Sequence, residues 1–406
     1  MGETLFLAQR IPFPPDRGDK IRSHHLLKAL AALGPVHVGT MGETAEDFAA
    51  EPLLAEVAAS HCLVRRPALA AAGLRALVSG WPVSLAAFDS PELHRWVRRT
   101  LAGRPIDTVF VFSGQMGQYL PAGFAGRVVI DLCDVDSAKF EAYARDRRGP
   151  RAWIDAREGR LLARKEARLV ALADTVLLVS EAEAELLCTR LGTRPPNVVP
   201  ISNGIDTAFF APEAVDPHPA LATSAGPHFV FTGQMDYQPN VEAVVRAARR
   251  LMPAIRQVHA EACFHIVGRA PVLAVRALEG INGTRVWGEV PDVRPFLAAC
   301  DLVVAPLQIA RGIQNKVLEA MAMARPVVLS PEAGTGIGGA DGTHYAVGMS
   351  DGALAKQALA LLADGSRALA MGAAARRFVC AKRSWDAMLA PLADIVTPAH
   401  RARDAA

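Results

Sequence analysis

One short segment of the chain has the residue types that bind a diphosphate. Apolar side chains recur at helical spacing between Val317 and Ala322, which predicts a helix that begins near Lys316. The first N–H groups of a helix are unpaired and carry partial positive charge, and Lys316 adds a full charge beside them. The candidate residues for this anion site are Gly312, Ile313, Gln314, Asn315 and Lys316.

Glu319 lies one helical turn after Lys316 and shares a helix face with it. A carboxylate in this position can accept ribose hydroxyls while the ammonium binds the phosphates of a nucleotide. A half-buried surface helix with an ion pair would have the same spacing, and motifs of this length are frequent by chance. Taken alone, the spacing favours the ion pair.

A second group of carboxylates, in residues 131–137, follows a predicted strand. Asp134 and Asp136 form an Asp-x-Asp pair, which in metal-dependent transferases holds a divalent ion against phosphates. Three residues are a weak signal. We interpret Asp134 as a residue that faces a sugar or an acceptor, and Asp136 as the N-cap of a helix over 138–144.

Short β-rich runs alternate with helical patterns along almost the whole chain. This alternation predicts parallel sheets that are covered by helices on both faces. The predicted strands are 4–8, 36–40, 62–65, 108–112, 128–132, 175–179, 198–201, 229–232, 263–267, 285–288, 302–306 and 327–329. The predicted helices include 20–33, 151–172, 181–191, 241–255 and 354–362.

Two successive blocks of this pattern predict an α/β protein with two Rossmann-like domains. The joint is expected between Asn203-Gly204 and the aperiodic stretch 211–227. The predicted domains are 1–205, completed by a C-terminal helix over 383–406, and 206–382. Ligands of such folds bind at the carboxyl ends of the strands, so we expect the active site in a cleft between the two domains.

Composition sets the limits on other functions. The 406 residues suffice for two domains, and a net charge of +3 gives no indication of a nucleic-acid partner. The six cysteines are scattered without metal-ligand spacing, which is typical of reduced core residues in a cytosolic protein. The first 20 residues do not resemble a signal peptide, and no apolar run reaches the ~18 residues that span a bilayer.

A glycine-rich segment at 334–339 fits the pattern G-x-G-x-x-G that binds dinucleotides. That interpretation needs a helix to start inside the motif and an acidic residue about 20 positions later. Asp341, Gly342 and a β-rich run follow instead, so we predict a loop.

Residues 310–329 resemble the donor-binding segment of the retaining, family-4 glycosyltransferases of the GT-B fold. Glu319 matches the second glutamate of their motif, and Ala320-Met321-Ala322 follow it as in the family. The first glutamate, eight positions earlier, is replaced by Arg311, so its role cannot be carried over. An arginine there could pair with the diphosphate or with an acidic sugar.

Further segments resemble the same family in the same order. Asn203-Gly204-Ile205-Asp206 matches the interdomain motif, and Gly233 closes a strand where many members have glycine followed by a basic residue. Gln234 replaces that residue, and Arg269 is a candidate to supply the charge. Val290 lies in the turn whose backbone reads the base. The combined segments resemble one subgroup, the sugar transferases associated with bacterial exosortase (PEP-CTERM) systems.

In the N-terminal half, residues 10–25 resemble the family's loop near the diphosphate and the acceptor. The resemblance implies that Gly18 contacts the donor, and that Asp19, Lys20, Arg22 and Asp136 lie on the acceptor side. Donor contacts elsewhere are expected at Gly233, Gln234, Arg269, Val290, Gly312, Ile313, Gln314, Asn315, Lys316 and Glu319, and catalytic roles at Asp134, Arg311 and Lys316.

The expected function is transfer of a hexosyl unit from a nucleotide diphosphate sugar to a saccharide or polyprenyl-linked acceptor in exopolysaccharide synthesis, with retention. No metal or other cofactor is expected, because Lys316 and helix amides would stabilise the leaving diphosphate. The arginine-rich region 145–168 could contact the inner membrane, although a solvated helix face explains it equally well. A sugar-nucleotide epimerase and a non-catalytic binding protein remain alternatives.

Overall fold

The computed structural model describes residues 2–68, 72–73, 75–76, 79–310 and 312–397. The chain divides into a first unit, Met1–Asn203 with Met388–Ala406, and a second unit, Gly204–Ala387. The first unit ends two residues before the predicted boundary at 205. The returning segment begins at Met388 rather than at residue 383.

The first unit is built on a parallel sheet. Its strands are β1 (Glu3–Ala8), β2 (Val36–Gly42), β3 (Ser60–Arg65), β4 (Ile106–Phe112), β5 (Arg127–Cys133), β6 (Thr175–Leu178) and β7 (Val198–Pro200). Within the described residues these seven strands are arranged in the order β3-β2-β1-β4-β5-β6-β7, and every pair is parallel.

Helices cover both faces of this sheet. Leu5, Phe6 and Leu7 are all fully buried, although consecutive strand residues point to opposite faces. Burial on both faces is what the continuous apolar runs of the strands predicted. The helices are Gly18–Leu33, Ala45–Ala49, Glu51–Val57, Val83–Ala86, Pro91–Gly103, Asp136–Asp146, Pro150–Leu172, Glu181–Leu191 and Leu392–Val396, with a 3₁₀ helix at Gly114–Tyr119.

The second unit repeats the architecture with a smaller sheet. Its strands are β8 (His228–Thr232), β9 (Cys263–Val267), β10 (Thr284–Gly288), β11 (Leu302–Ala305), β12 (Val327–Leu329) and β13 (Ala346–Val347). In the part of the unit that the structure describes, the six strands run in the order β10-β9-β8-β11-β12-β13, again all parallel. The two parallel sheets confirm the predicted fold class.

The helices of the second unit include Pro219–Ala222, Gln238–Arg246, Met252–Arg256, Leu273–Arg276, Arg294–Ala299, Asn315–Ala322, Asp351–Ala363 and Gly365–Lys382; Trp385–Leu389 spans the boundary. The predicted helix 241–255 is interrupted by a π-helical stretch, Ala247–Leu251. Pro253 explains this difference, because proline lacks an N–H and its ring displaces the carbonyl four residues earlier.

The glycine-rich segment 334–339 forms the end of a 3₁₀ helix, Glu332–Gly334, and a loop. No α-helix starts inside it, which agrees with the rejection of a dinucleotide site. Among the described residues no single helix meets the length and hydropathy of a membrane span; one bent pair, Asp351–Ala363 with Gly365–Lys382, meets them on length and composition alone.

Each sheet has one position at which the chain reverses its direction of winding. In the first unit this position lies between β1 and β4, and in the second between β8 and β11. Loops leave such neighbouring strands in opposite directions, which opens a crevice at their carboxyl ends. The segment with Lys316 follows β11, one of these strands, and the pair Asp134 and Asp136 follows β5, which is the neighbour of β4.

A chain of hydrogen-bonded aromatic side chains, His228, His265 and Trp287, joins three strands of the second unit. The indole N–H of Trp287 donates to Nδ1 of His265 at 3.0 Å, and Nε2 of His265 lies 3.0 Å from Nδ1 of His228. Because an indole N–H can only donate, His265 must carry its proton on Nε2, and it donates to His228. Burial, with His228 nearby, lowers the pKa of His265 to about 4.

Protonation of His265 should therefore destabilise the second unit. The unfolded-state pKa of histidine is about 6.5, so the unfolded chain binds the proton first as pH falls, and stability is lost from about pH 6.5 down to about pH 4. We expect about 2 kcal/mol of this loss between pH 6.5 and 5. Urea unfolding of wild type and His265→Gln at both pH values measures it; an equal pH dependence in the two proteins would contradict the assignment.

Candidate functional site

The helix Asn315–Ala322 presents the first group of candidate residues. It buries Val317, Leu318 and Met321 against the core of the second unit, which leaves Lys316 and Glu319 on its other side. Gln314 is the N-cap residue, and its side chain donates to the carbonyl of Gly312 at 3.1 Å. The helix thus begins where the apolar spacing predicted.

The ammonium of Lys316 does not form the ion pair with Glu319 that a surface helix would favour. It donates to Oδ1 of Asn240 at 2.9 Å and to Oε1 of Gln314 at 3.3 Å, and it lies 5.2 Å from the centre of the Phe231 ring. These partners are neutral. The positive charge of Lys316 is therefore fixed in position without being cancelled.

Lys316 and Glu319 are both half-buried, and burial acts on them in opposite directions. It lowers the pKa of Lys316 to about 8 and raises the pKa of Glu319 to about 7, while each group partly opposes the other's shift. Lys316 and Glu319 are therefore both charged only between about pH 7 and about pH 8. An anion beside the ammonium would raise the pKa of Lys316 and widen this interval.

Two glycines bring the loops after β8 and β9 into contact. Gly233 has a φ of +154° and Gly268 a φ of +153°, which side chains rarely allow. A Cβ atom on Gly268 would lie 1.6 Å from the carbonyl oxygen of Gly233, so only glycine fits. A Cβ atom on Gly233 would lie 3.3 Å from Cε of Lys316, which shows how closely this loop approaches the lysine.

The remaining second-unit candidates surround the same strand ends. Arg269 is exposed and donates to Oε1 of Gln234 at 3.0 Å, so these two predicted donor contacts are joined to each other. Val290 is half-buried in the loop after β10, and Ile313 packs on the core beside Gly336. Arg311 lies outside the residues that the structure describes.

The first unit contains a cavity of 760 Å³ at the carboxyl ends of its strands. Phe88, Phe112 and Phe140 supply apolar lining. Ser113 follows β4 with a φ of +77°, and Cys133, the last residue of the neighbouring β5, has a φ of +63°. Positive φ angles are costly for residues other than glycine and concentrate at binding sites.

Arg22 is almost completely buried beside this cavity, at 1% exposure. Its Nε donates to Asp131 at 2.7 Å, and its Nη1 donates to the carbonyl of Ile201 and to Oδ1 of Asn203, both at 2.9 Å. Burial acts to lower its pKa, but the Asp131 carboxylate outweighs burial and the pKa is raised. Arg22 therefore stays charged and forms part of the cavity wall.

The other acceptor-side candidates are divided. Gly18 and Asp19 line the cavity at the start of the helix Gly18–Leu33, where Asp19 forms an ion pair with Arg10. Lys20 is buried away from it and pairs with Asp47 at 2.7 Å. An acceptor contact for Lys20 does not fit this placement, because its charge is already used inside the protein.

Asp134 and Asp136 both line the cavity, but one of our assignments is wrong. Val135 occupies the N-cap position of the helix Asp136–Asp146, and Asp136 is its first residue. The Asp136 carboxylate accepts instead from Nε2 of Gln115 at 2.9 Å. Asp134 is exposed, and partial desolvation together with the Glu183 carboxylate raises its pKa.

Several lining residues had no signal in the sequence. Glu158 accepts from the N–H groups of Val83 and Ser84 at 2.9 and 2.8 Å, and Arg66 lies over the ring of Phe88. These residues are far apart in the chain and belong to no local pattern. Among the described residues, no group of three or more His, Cys, Asp or Glu side chains is arranged to hold a metal ion.

Two family profiles match the chain. The profile "Glycosyl transferase 4-like domain" matches residues 18–204, and "Glycosyl transferases group 1" matches residues 226–364. To within one residue, each match lies inside one of the two units of the fold. No curated protein sequence matches the chain significantly.

Solved structures with the same architecture are similar over nearly their whole length. One is the Anabaena protein HepE in complex with UDP and glucose, at 16% identity and a TM-score of 0.60, with 97% of this chain and 99% of that one covered. Sucrose-phosphate synthase from Thermosynechococcus elongatus has 17% identity and a TM-score of 0.58, with 97% and 98% covered. WaaG, a glycosyltransferase of lipopolysaccharide biosynthesis, has 17% identity and a TM-score of 0.57, with 97% and 99% covered.

Proposed function

We propose that this chain, a glycosyltransferase of the GT-B fold, binds its nucleoside diphosphate sugar through Lys316, Glu319 and the loop at Gly233. One observation carries this proposal: the Lys316 ammonium is held by neutral partners beside the loop after β8, and the Glu319 carboxyl lies one helical turn away. The ammonium and the N-terminus of the helix Asn315–Ala322 would bind the diphosphate, while the carboxylate would accept ribose hydroxyls. HepE was solved with UDP-glucose, which makes UDP-glucose a suitable first probe.

The same cation would stabilise the leaving group. Negative charge develops on the diphosphate as its bond to the sugar breaks, and a fixed ammonium at the end of a helix stabilises that charge without reorganisation. We infer that transfer needs no metal ion and proceeds with retention of configuration, as the resemblance to family-4 enzymes implies. Arg311 remains a candidate for a second cation at the diphosphate.

We assign the acceptor to the first unit. Its cavity combines three phenylalanine rings with Arg22, Gln115 and Asn203, which suits a saccharide with apolar ring faces and polar edges. Asp134 is the candidate carboxylate for contact with an acceptor hydroxyl, because it lines the cavity and its raised pKa favours acceptance of a proton. A hexosyl unit would be transferred to a saccharide or polyprenyl-linked saccharide in exopolysaccharide synthesis, in a system of the exosortase type.

A surface of the first unit supports peripheral contact with the inner face of the cell membrane. In the helix Pro150–Leu172, Trp153 is 58% exposed and Ile154 is 45% exposed, and Ile154 also lines the cavity. Trp81 is also exposed. It lies close to this helix, because Arg157, one turn after Trp153, donates a hydrogen bond to the carbonyl of Trp81. Exposed arginines flank these residues: Arg145, Arg148, Arg151, Arg160, Arg164 and Arg168. Tryptophan with arginine is typical of segments that bind anionic lipid surfaces.

Removal of either donor-site charge should weaken binding of the sugar nucleotide. Lys316→Met and Glu319→Gln should each lose roughly 1–3 kcal/mol of binding free energy, because each removes a charge-assisted hydrogen bond. In wild type the affinity should be highest between about pH 7, where Glu319 ionises, and about pH 8, where Lys316 loses its proton. Calorimetry with UDP-glucose, GDP-mannose and ADP-glucose measures the loss of affinity in the variants and the pH dependence in wild type. The diphosphates of these sugar nucleotides do not titrate between pH 7 and 8, so a pH dependence there comes from the protein.

Lys356→Met is the matched control, because Lys356 is an exposed lysine on another helix of the same unit. It should bind as wild type does. Wild-type affinity in both donor-site variants, for the sugar nucleotide that wild type binds best, would exclude this donor site.

Transfer should also continue after exhaustive treatment with EDTA, since Lys316 and helix amides replace the metal ion in neutralising the diphosphate. The measurement is release of nucleoside diphosphate before and after EDTA, and after addition of Mn²⁺ or Mg²⁺. A rate that disappears with EDTA and returns with either ion would show that a metal holds the diphosphate.

Membrane contact should depend on the exposed tryptophan. Trp153→Ser should reduce binding to vesicles containing about one third phosphatidylglycerol by roughly tenfold, because it removes the largest apolar side chain from the contact. Leu369→Ser, at a 76% exposed leucine of the second unit, is the control. Sedimentation with anionic and with neutral vesicles separates the contribution of lipid charge to binding from the contribution of apolar contact. Equal binding of Trp153→Ser and wild type would exclude this surface.

A further inference from the structure

Asn240 lies where three elements of the second unit meet. It is the third residue of the helix Gln238–Arg246 and is only 4% exposed. Its Oδ1 accepts from the Lys316 ammonium at 2.9 Å, and its Nδ2 donates to the carbonyl of Gln234 at 2.9 Å. One buried amide thus connects the loop after β8 with the helix Asn315–Ala322.

The chemistry of its two partners fixes the orientation of this amide. An ammonium can only donate and a carbonyl oxygen can only accept, so Oδ1 must face Lys316 and Nδ2 must face Gln234. Aspartate has the same shape but would put an oxygen against the Gln234 carbonyl, and alanine would satisfy neither partner. Asparagine is the side chain that serves both partners at this distance.

We propose that Asn240 is a positioning residue for the donor diphosphate: it holds the Lys316 ammonium and the Gly233–Gln234 loop in one fixed arrangement, so that both contact the diphosphate together. This inference rests on the proposed function of the site, in which Lys316 binds the phosphates. It adds a residue that does not itself touch the donor.

The hydrogen bonds around Asn240 leave suitable donors open for a ligand. Lys316 has three N–H groups and uses two of them, on Asn240 and Gln314. Among the described residues none accepts from the backbone N–H of Gln234. The Asn240 bond to the Gln234 carbonyl fixes the residue that carries this free N–H. One ammonium proton and one amide proton thus remain for phosphate oxygens.

A lysine at such a site needs to be held. Its flexible side chain has a large rotamer entropy, which binding would otherwise have to overcome. The gap beside Gly233 is also narrow, because a Cβ atom there would lie 2.8 Å from Nδ2 of Asn240 and 3.3 Å from Cε of Lys316. Asn240 therefore holds the lysine stem against the glycine as well as binding its ammonium.

The protonation of Lys316 gives a readout that a purely structural role would not change. Among the residues that the structure describes, the groups that face it are Asn240, Gln314, the Phe231 ring and the titratable Glu319 on its own helix. Asn240→Ala removes an acceptor that favours the ammonium and should lower the pKa of Lys316. Asn240→Asp adds a carboxylate beside it and should raise that pKa.

The experiment is the pH dependence of affinity for whichever of UDP-glucose, GDP-mannose and ADP-glucose wild type binds best. The alkaline decline, with its midpoint near pH 8 in wild type, should shift to lower pH in Asn240→Ala and by about one unit to higher pH in Asn240→Asp. Asn240→Ala should also lose about tenfold in affinity at pH 7.5. In the transfer assay Asn240→Ala should raise KM and lower kcat together, because the ammonium of Lys316 would stabilise both the bound donor and the diphosphate leaving group in the transition state.

Asn197→Ala is the matched control, since the Asn197 side chain also donates to backbone carbonyls, those of Val170 and Ala173 in the first unit. If the alkaline decline of affinity has the wild-type midpoint in both Asn240 variants, the proposal is overturned, whatever the thermal stability of the variants. If Asn240→Ala does not fold, Asn240→Asp decides alone, because it has the same shape.

Lys316→Met separates the failure of this inference from failure of the proposed function. It should remove the alkaline decline. If Lys316→Met binds as wild type does, the donor site itself is wrong. If it weakens binding while the Asn240 variants keep the wild-type decline, only the role of Asn240 is excluded.

Discussion

The half-buried ammonium of Lys316 is the constraint on which the arrangement at the carboxyl ends of β8 and β11 depends. Removing a charge from water is unfavourable unless nearby groups replace the lost hydrogen bonds. Here the replacement comes from Asn240 and Gln314, and it holds only while the loop after β8 stays close to the helix Asn315–Ala322. The two glycines at 233 and 268 make that approach sterically feasible, because a Cβ atom on either would collide with a neighbour.

The parallel sheets determine where these groups can meet. All strands of a parallel sheet end on the same side, so residues that are distant in sequence converge beyond their carboxyl ends. Asn240 and Lys316 are separated by 76 residues, and Arg22 and Asp131 by 109, yet both pairs are in direct contact. In each unit the contacts lie beside the strands at which the winding reverses. The fold therefore supplies proximity, and local residue choice supplies the chemistry.

The architecture could be predicted because its signal is repeated along the chain. Apolar strands alternate with helices twice, and each repeat reinforces the others. The two-residue β13 lies in the β-rich run after Gly342 and was not among the predicted strands. The sites lack such redundancy. The N-cap assignment of Asp136 was wrong because capping depends on the backbone angles of Val135. The burial of Lys20 gave no signal in the sequence, because its partner Asp47 is 27 residues away. Periodicity indicates which face a residue occupies, but not which side chain lies opposite.

Arg22, which is buried, and Lys316, which is half-buried, differ in whether their charge is compensated inside the protein. Arg22 is bound by the Asp131 carboxylate, so its charge is compensated inside the protein and its pKa is raised. Among the described residues no carboxylate lies within 4.0 Å of the Lys316 ammonium, and its pKa is lowered to about 8. Arginine stays charged in any such environment, whereas lysine readily loses its proton when buried. The charge of Lys316 therefore becomes most favourable when an anion arrives from outside the protein. In the function that we propose, this anion is the donor diphosphate, which the adjoining helix N-terminus would also attract.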